Sequence, residues 1–355
     1  MHRISILLTL GLACCSHASA ASCQVLLFGG EPGSPVYQRR FQDWLTRSHA
    51  LLLKAGVAAA DIRLLTADPT FKAPIVSGPA TAETVVAEIK AIAGRAKRED
   101  QFILILIGHS SLVEGIGPRL LLPGPDLAPE PVAAALTAIP CREQVVINLA
   151  GVSGEWLASF AAAERVNIAA ASPGELPDAV FGEFFLRGLE SGRADGCAGG
   201  PGDGQVNCLE AFTWASHETA RWIARLTFNR PADCWRIDGR DSVAVFEQLF
   251  GGFTGVSGAR KLDPASKRDS ADAEPVVQPL DGKLDKEWDS RRMINEHAML
   301  EDCGAAEGVP ALGTAGFTTF LADQPLQPGY LARHIVLGRP THAAAVGAAA
   351  EKPND

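Results

Sequence analysis

The chain has 355 residues, enough for one large domain or two ordinary ones, and its 47% hydrophobic content is enough for a sizeable core. With only 21% charged residues, it is neither a disordered nor a coiled-coil chain. The formal net charge of -9 argues against a nucleic-acid-binding protein, which would carry a basic surface.

The N-terminal residues have the pattern of an export signal. Arg3 provides a positive charge, residues 4–13 form an apolar run, and residues 18–20 (Ala-Ser-Ala) form a small-residue cleavage site. The apolar run is too short for a permanent membrane span, and no later stretch is long enough. We therefore expect residues 1–20 to be a signal peptide and the protein to be periplasmic or extracellular. The less favoured alternative is a lipoprotein acylated at Cys14 or Cys15.

The cysteines are consistent with an oxidising compartment. Eight cysteines become six if the signal is removed, and an even number in an exported protein favours disulfides. Cys197 and Cys208 flank a glycine-rich loop and are the first predicted pair, and Cys234 with Cys303 is a second. Since no cysteine–histidine cluster has metal-ligand spacing and no cofactor motif is present, we expect no metal and no cofactor.

Strand-like and helix-like segments alternate between Cys23 and about Leu226. The apolar runs of strand length are residues 24–29, 61–66, 101–107, 143–149 and 166–171, with a hairpin arm at 120–122. Helices are predicted at residues 36–55, after Thr81, from Pro129 or Pro131 to Thr137, from Glu155, at 178–191 and at 209–226. Repeated strand–helix–strand units predict an α/β fold with a mostly parallel central sheet that is covered by helices on both faces.

The pattern weakens after residue 228, which we take as the end of the α/β domain of residues 21–228. Residues 229–310 are expected to form a C-terminal extension, in which a short helix spans about 243–250, a charged linker spans 259–292 and a helix spans 293–303. Glu296, His297 and Asp302 would be solvated polar residues of that last helix. The Ala/Gly/Pro-rich residues 311–355 are predicted to be a loose tail.

Two polar segments follow neighbouring predicted strands. His109 follows the strand at 101–107, and the turn at residues 150–154 follows the strand at 143–149. In parallel sheets, sites form beyond the carboxyl ends of the strands. A histidine in that position is able to take the proton from a thiol or hydroxyl on the neighbouring turn.

A family resemblance becomes visible from these segments. The chain resembles the caspase/legumain/gingipain superfamily of cysteine peptidases, and in particular bacterial exported caspase-like proteins. The matching stretches, which span roughly residues 23–308, are QFILILIGHSS (101–111), VVINLAGVSGEWLASF (145–160), RVNIAAASPGE (165–175), FGEFFLRGLE (181–190), DGQVNCLEAF (203–212) and INEHAMLEDCGAAEG (294–308). The resemblance implies a three-layer α/β/α sandwich of caspase-like topology.

The resemblance also implies site residues. His109 matches the family histidine, and the family cysteine falls on Ala150 or Gly151, neither of which carries a thiol. Ser153 is the nearest later hydroxyl. A methyl group cannot attack a carbonyl, and loss of a nucleophile costs on the order of 10⁶-fold in turnover in the protease case. We therefore expect an inactive peptidase homologue that binds a peptide or a protein at the cleft near His109.

An active hydrolase is the alternative. His109 would then activate Ser153, or Ser110 would act as the nucleophile, because residues 108–112 are similar to the Gly-x-Ser-x-Gly elbow of α/β-hydrolases. Leu112 replaces the last glycine of that elbow.

A second motif is a partial calcium loop. Asp203 and Glu210 match its fifth and twelfth positions, but Gly199 and Pro201 stand where the first and third ligands belong. We therefore regard Asp203 and Glu210 as a weak remnant and expect no metal there. A disulfide would hold this loop in the place of a metal.

Overall fold

The computed structural model describes residues 21–175, 179–197, 202–228, 236–237, 240–241, 296–310, 312–313, 316–317, 320 and 322–340. The signal-peptide prediction, the charged linker, the helix at 243–250 and Cys234 lie outside the described residues. Within that part of the chain, no helix is long and apolar enough to cross a membrane.

The strands and helices alternate along the chain as the sequence predicts. The strands are β1 Cys23–Gly29, β2 Ile62–Thr66, β3 Gly78–Pro79, β4 Gln101–Ile107, β5 Ser110–Val113, β6 Gly117–Leu120, β7 Glu143–Asn148, β8 Arg165–Ala169, β9 Arg236–Ile237, β10 Arg240–Asp241, β11 Met299–Glu301, β12 Val309–Pro310, β13 Leu312–Gly313 and β14 Gly316–Phe317. The helices are α1 Pro35–Ala55, α2 Ala82–Ala93, α3 Pro129–Leu136, α4 Leu157–Phe160, α5 Phe181–Ser191, α6 Cys208–Phe228 and α7 Tyr330–His334. Short 3-10 turns occupy Ala59–Asp61 and Ser153–Trp156.

The central sheet has eight strands in the order β12-β11-β8-β7-β4-β1-β2-β3. The six strands from β8 to β3 are parallel, and β11 and β12 add antiparallel strands at one side. The prediction of a mostly parallel sheet between two helical layers is therefore confirmed, as an α/β/α sandwich.

The two faces of the sheet build two apolar cores. Val25 and Leu27 of β1 face one core together with α1, α5 and α6, whereas Leu26 and Phe28 face the other together with α2 and α3. Successive side chains of a strand point to opposite faces, so an uninterrupted apolar run is buried on both sides. Thr81 caps α2 in a capping box with Thr84, in agreement with the predicted start of that helix.

The C-terminal region differs from the sequence-based expectation. The predicted helix at 293–303 is wrong, because Met299–Glu301 pair with β8 as strand β11. Part of the tail is also packed rather than loose, since Ala332, Ile335 and Leu337 are buried in the core that contains α1 and α6. These residues pair and pack with elements far away in sequence, so local periodicity did not reveal them.

The predicted Cys197–Cys208 disulfide is absent, because both residues are free, buried thiols. The carboxylate of Glu210 closes this loop instead. It accepts hydrogen bonds from the N–H of Gly196 at 3.0 Å and from the N–H of Asn207 at 2.9 Å. Since both oxygens of Glu210 are engaged by the backbone, this remnant of a calcium loop acts as a structural clamp.

Candidate functional site

His109 lies at the carboxyl edge of the sheet, directly beyond β4. Its Nε2 is 3.2 Å from the carbonyl oxygen of Pro32, in the loop that follows β1. Because a carbonyl only accepts, Nε2 carries the hydrogen and donates it. The ring is enclosed by two aromatic residues of α1, Tyr37 at 4.2 Å and Phe41 at 5.1 Å between centroids. The imidazole is therefore positioned by β1, β4 and α1 together.

The turn after β7 carries the position at which the family resemblance requires a cysteine. Ala150 is fully buried there, and its N–H donates to Asn148 Oδ1 at 3.1 Å. Val152 has φ 54°, in the left-handed region that β-branched residues rarely adopt. A strained, sharp turn thus follows the strand, and its apex carries methyl, hydrogen and isopropyl groups from Ala150, Gly151 and Val152.

Ser153 points into the protein rather than toward the edge. Its side chain is 0% exposed, and Oγ accepts a 3.0 Å hydrogen bond from the N–H of Ala171, beyond β8. The next residue, Gly154, touches the same loop, because a Cβ there would lie 2.6 Å from the carbonyl oxygen of Ala171. The Ser-Gly pair therefore fastens the β7 turn to the β8 loop.

Ser110 is also unable to meet a substrate. It is 3% exposed, and its Oγ has no hydrogen-bond partner within the described part of the chain. A nucleophile elbow requires a helix after the serine, whereas Ser110 begins strand β5 of a hairpin. Neither serine that the sequence suggests is hydrogen-bonded to His109.

A carboxylate–imidazole pair near the same edge was not predicted. The Glu175 carboxylate, in the loop after β8, bonds both the ring Nδ1 and the backbone N–H of His297. Burial raises the pKa of Glu175, but the hydrogen bonds from His297 and from the N–H of Ser172 outweigh it, and the net pKa lies below the ordinary value. Glu175 is therefore held ionised beside His297.

The structure also corrects the prediction that Glu296 and Asp302 are solvated. Both are buried rather than solvated. Glu296 accepts hydrogen bonds from the N–H groups of Val180 and Phe181, at the start of α5, and Asp302 accepts from the N–H of Ala332 in α7 at 3.0 Å. Acidic residues at helix starts are a known capping pattern, but here the caps come from a distant segment and leave no local signal.

The described cysteines do not substitute for the absent nucleophile. Burial raises the pKa of Cys197 and of Cys303 to about 11 and that of Cys141 to about 12. A reactive cysteine needs the opposite shift, because the thiolate is the nucleophile. The buried thiols of Cys23 and Cys208 are shifted upward as well.

Comparison with known proteins gives little further guidance. No family model matches the chain, and no curated protein matches it. Among solved structures, protein GSU0716 from Geobacter sulfurreducens is similar over 48% of this chain and 83% of its own, with 15% identity and a TM-score of 0.37.

Proposed function

We propose that this protein is an exported, catalytically degenerate relative of caspase- and legumain-like peptidases that binds a peptide or protein partner without cleaving it. The observation that carries the proposal is the turn after β7. Where the resemblance requires a cysteine, Ala150 is buried and without a nucleophilic group, and Gly151 has no side chain.

The two hydroxyls support the same interpretation. A serine nucleophile must meet the substrate and must be within hydrogen-bond reach of its base. Ser153 and Ser110 are both buried, and the Ser153 oxygen is used by the N–H of Ala171. The Nε2 of His109 is already bonded to the carbonyl oxygen of Pro32. The imidazole then contributes apolar and polar surface beside Tyr37 rather than acting as a base.

The experiment separates binding from hydrolysis. Cleavage is measured by incubating the purified protein (residues 21–355) with a synthetic mixture of heptapeptides and looking for shorter products by mass spectrometry. Binding is measured by equilibrating the same mixture with the immobilised protein and identifying the peptides that are retained. We expect no cleavage and a retained subset of peptides. We also expect His109→Ala to weaken retention and His334→Ala, at an exposed position on α7, to leave it unchanged.

Two results would overturn the proposal. Cleavage that is lost in Ser153→Ala would support the active-hydrolase alternative. Retention of no peptide at all would remove the binding function and would leave the fold without an assigned role.

A further inference from the structure

The hairpin that follows His109 has an open edge. Strands β5 and β6 form a separate two-stranded sheet, in which Ser110 pairs with Leu120 and Leu112 pairs with Pro118. The N–H and C=O of Leu120 both bond Leu127, on the side of β6 away from β5. Ser110 and Leu120 therefore exchange no hydrogen bond with each other. Because hydrogen-bonded and non-hydrogen-bonded pairs alternate along an antiparallel ladder, the Leu112–Pro118 pair, two residues further, is non-hydrogen-bonded as well. The absence of an N–H on Pro118 agrees with this pattern.

The backbone of Leu112 therefore faces away from β6. Within the described part of the chain, neither its N–H nor its C=O forms a hydrogen bond, and β5 pairs with no strand other than β6. Proteins usually protect such an edge with lysine, proline or a bulge. Strand β5 (SSLV) contains no charge and no proline.

Exposed apolar side chains accompany this open edge. Leu112 is 53% exposed, Val113 37% and Ile116 61%. Exposed carboxylates lie at its two ends, with Glu114 in the hairpin turn and Glu31 at the base, where its N–H bonds the carbonyl of Leu121. The surface therefore combines the N–H and C=O of Leu112, which have no hydrogen-bond partner in the described part of the chain, with exposed apolar side chains beside them and a carboxylate at each end.

We propose that the β5 edge binds an extended, apolar peptide segment with basic residues at its ends as an added third strand. This inference rests on the proposed peptide-binding function and names the surface and the class of peptide. An extended strand is the backbone conformation that satisfies the N–H and C=O of Leu112 together. The negative charges of Glu31 and Glu114 at the two ends of the protein surface favour a peptide with Arg or Lys at its ends.

The test uses the labelled peptide acetyl-Arg-Thr-Val-Thr-Val-Thr-Arg-amide and fluorescence anisotropy with residues 21–355. Its partner probe is N-methylated at the five central residues, which removes the N–H donors and keeps the side chains and charge. We expect the first peptide to bind and the N-methylated one to bind at least about fivefold more weakly, since the hydrogen bond lost at the Leu112 carbonyl contributes on the order of 1 kcal/mol.

A protein variant tests the second bond of the pair, which the Leu112 N–H donates to a peptide carbonyl. Leu112→Pro removes the outward N–H without removing a hairpin hydrogen bond, and we expect it to weaken binding at least about fivefold at an unchanged thermal midpoint. Leu112→Ala keeps the N–H and is expected to bind more tightly than the proline variant. Leu53→Ala, an exposed apolar position near the C-terminal end of α1, is the matched control and should change the affinity by less than about twofold. If the proline variant does not fold, the comparison of the two peptides decides alone.

The outcomes separate this inference from the proposed function. Equal binding of both peptides, or full binding to a folded Leu112→Pro protein, overturns strand addition at β5 while peptide binding stands. No binding of the unmethylated peptide also overturns it, and the heptapeptide mixture then decides the broader function. A dimer in sedimentation that dissociates in Leu112→Pro would show that a second copy occupies the edge, which also contradicts the proposal.

Discussion

Replacement of Ser153 by alanine separates a structural hydroxyl from a catalytic one. In the structure, Ser153 Oγ is the acceptor for the buried N–H of Ala171 at 3.0 Å. The Ser153→Ala variant removes one atom, so cavity effects are small, but it leaves that N–H without its acceptor. An unsatisfied buried donor costs about 1–3 kcal/mol, which makes unfolding about 5- to 150-fold more favourable.

The assay is urea unfolding of residues 21–355, followed by tryptophan fluorescence. Ser111→Ala is the matched control, because Ser111 is a more exposed hydroxyl on the neighbouring hairpin, and we expect a change within about 0.5 kcal/mol. The reasoning is refuted if Ser153→Ala leaves the free energy of unfolding unchanged, or if the wild-type protein cleaves peptides and Ser153→Ala does not.

Three further variants test the packing around the carboxyl edge and the sheet. The Glu175 carboxylate is stabilised in the folded state by His297, so its contribution to stability should be present above the unfolded pKa and be lost as the pH falls below about 4. In urea unfolding measured as a function of pH, Glu175→Gln should therefore reduce the loss of stability at acid pH. Glu296→Ala should lower the free energy of unfolding by about 1–3 kcal/mol, because the N–H of Phe181 loses its acceptor. An unchanged urea midpoint would instead show that residues 296–310 are not part of the same folding unit. Arg165→Met should cost about 1–3 kcal/mol, because the buried carbonyl of Phe160 and the side-chain oxygen of Gln144 lose the guanidinium that donates to them at 2.6 Å and 2.9 Å. An unchanged free energy of unfolding in the same assay would contradict this.

Much of the sheet was predictable because its strands are short apolar runs, which can be recognised from neighbouring residues alone. Strand β4 coincides with its predicted bounds, and the other predicted parallel strands begin or end within two residues of theirs. The same reasoning placed His109 and Ser153 beyond the ends of neighbouring strands, which the structure confirms.

The direction of Ser153 was not predictable from the sequence. It depends on the left-handed backbone of Val152, a residue type that gives no reason to expect φ 54°. Strand β11 was missed for a different reason. It is three residues long and pairs with β8 across more than a hundred residues, so the helical spacing of residues 293–303 was the stronger local signal. The partnership between Glu175 and His297 depends on that same long-range pairing.

Reaction of the purified protein with a fluorophosphonate probe, followed by intact mass measurement, tests the absence of an activated serine most directly. A buried Ser153 bonded to the N–H of Ala171 and a buried Ser110 should both remain unmodified. A chymotrypsin sample labelled in parallel serves as the positive control. We predict no mass increase. Stoichiometric labelling that disappears in Ser153→Ala or Ser110→Ala would contradict the account and would assign the protein as an active hydrolase.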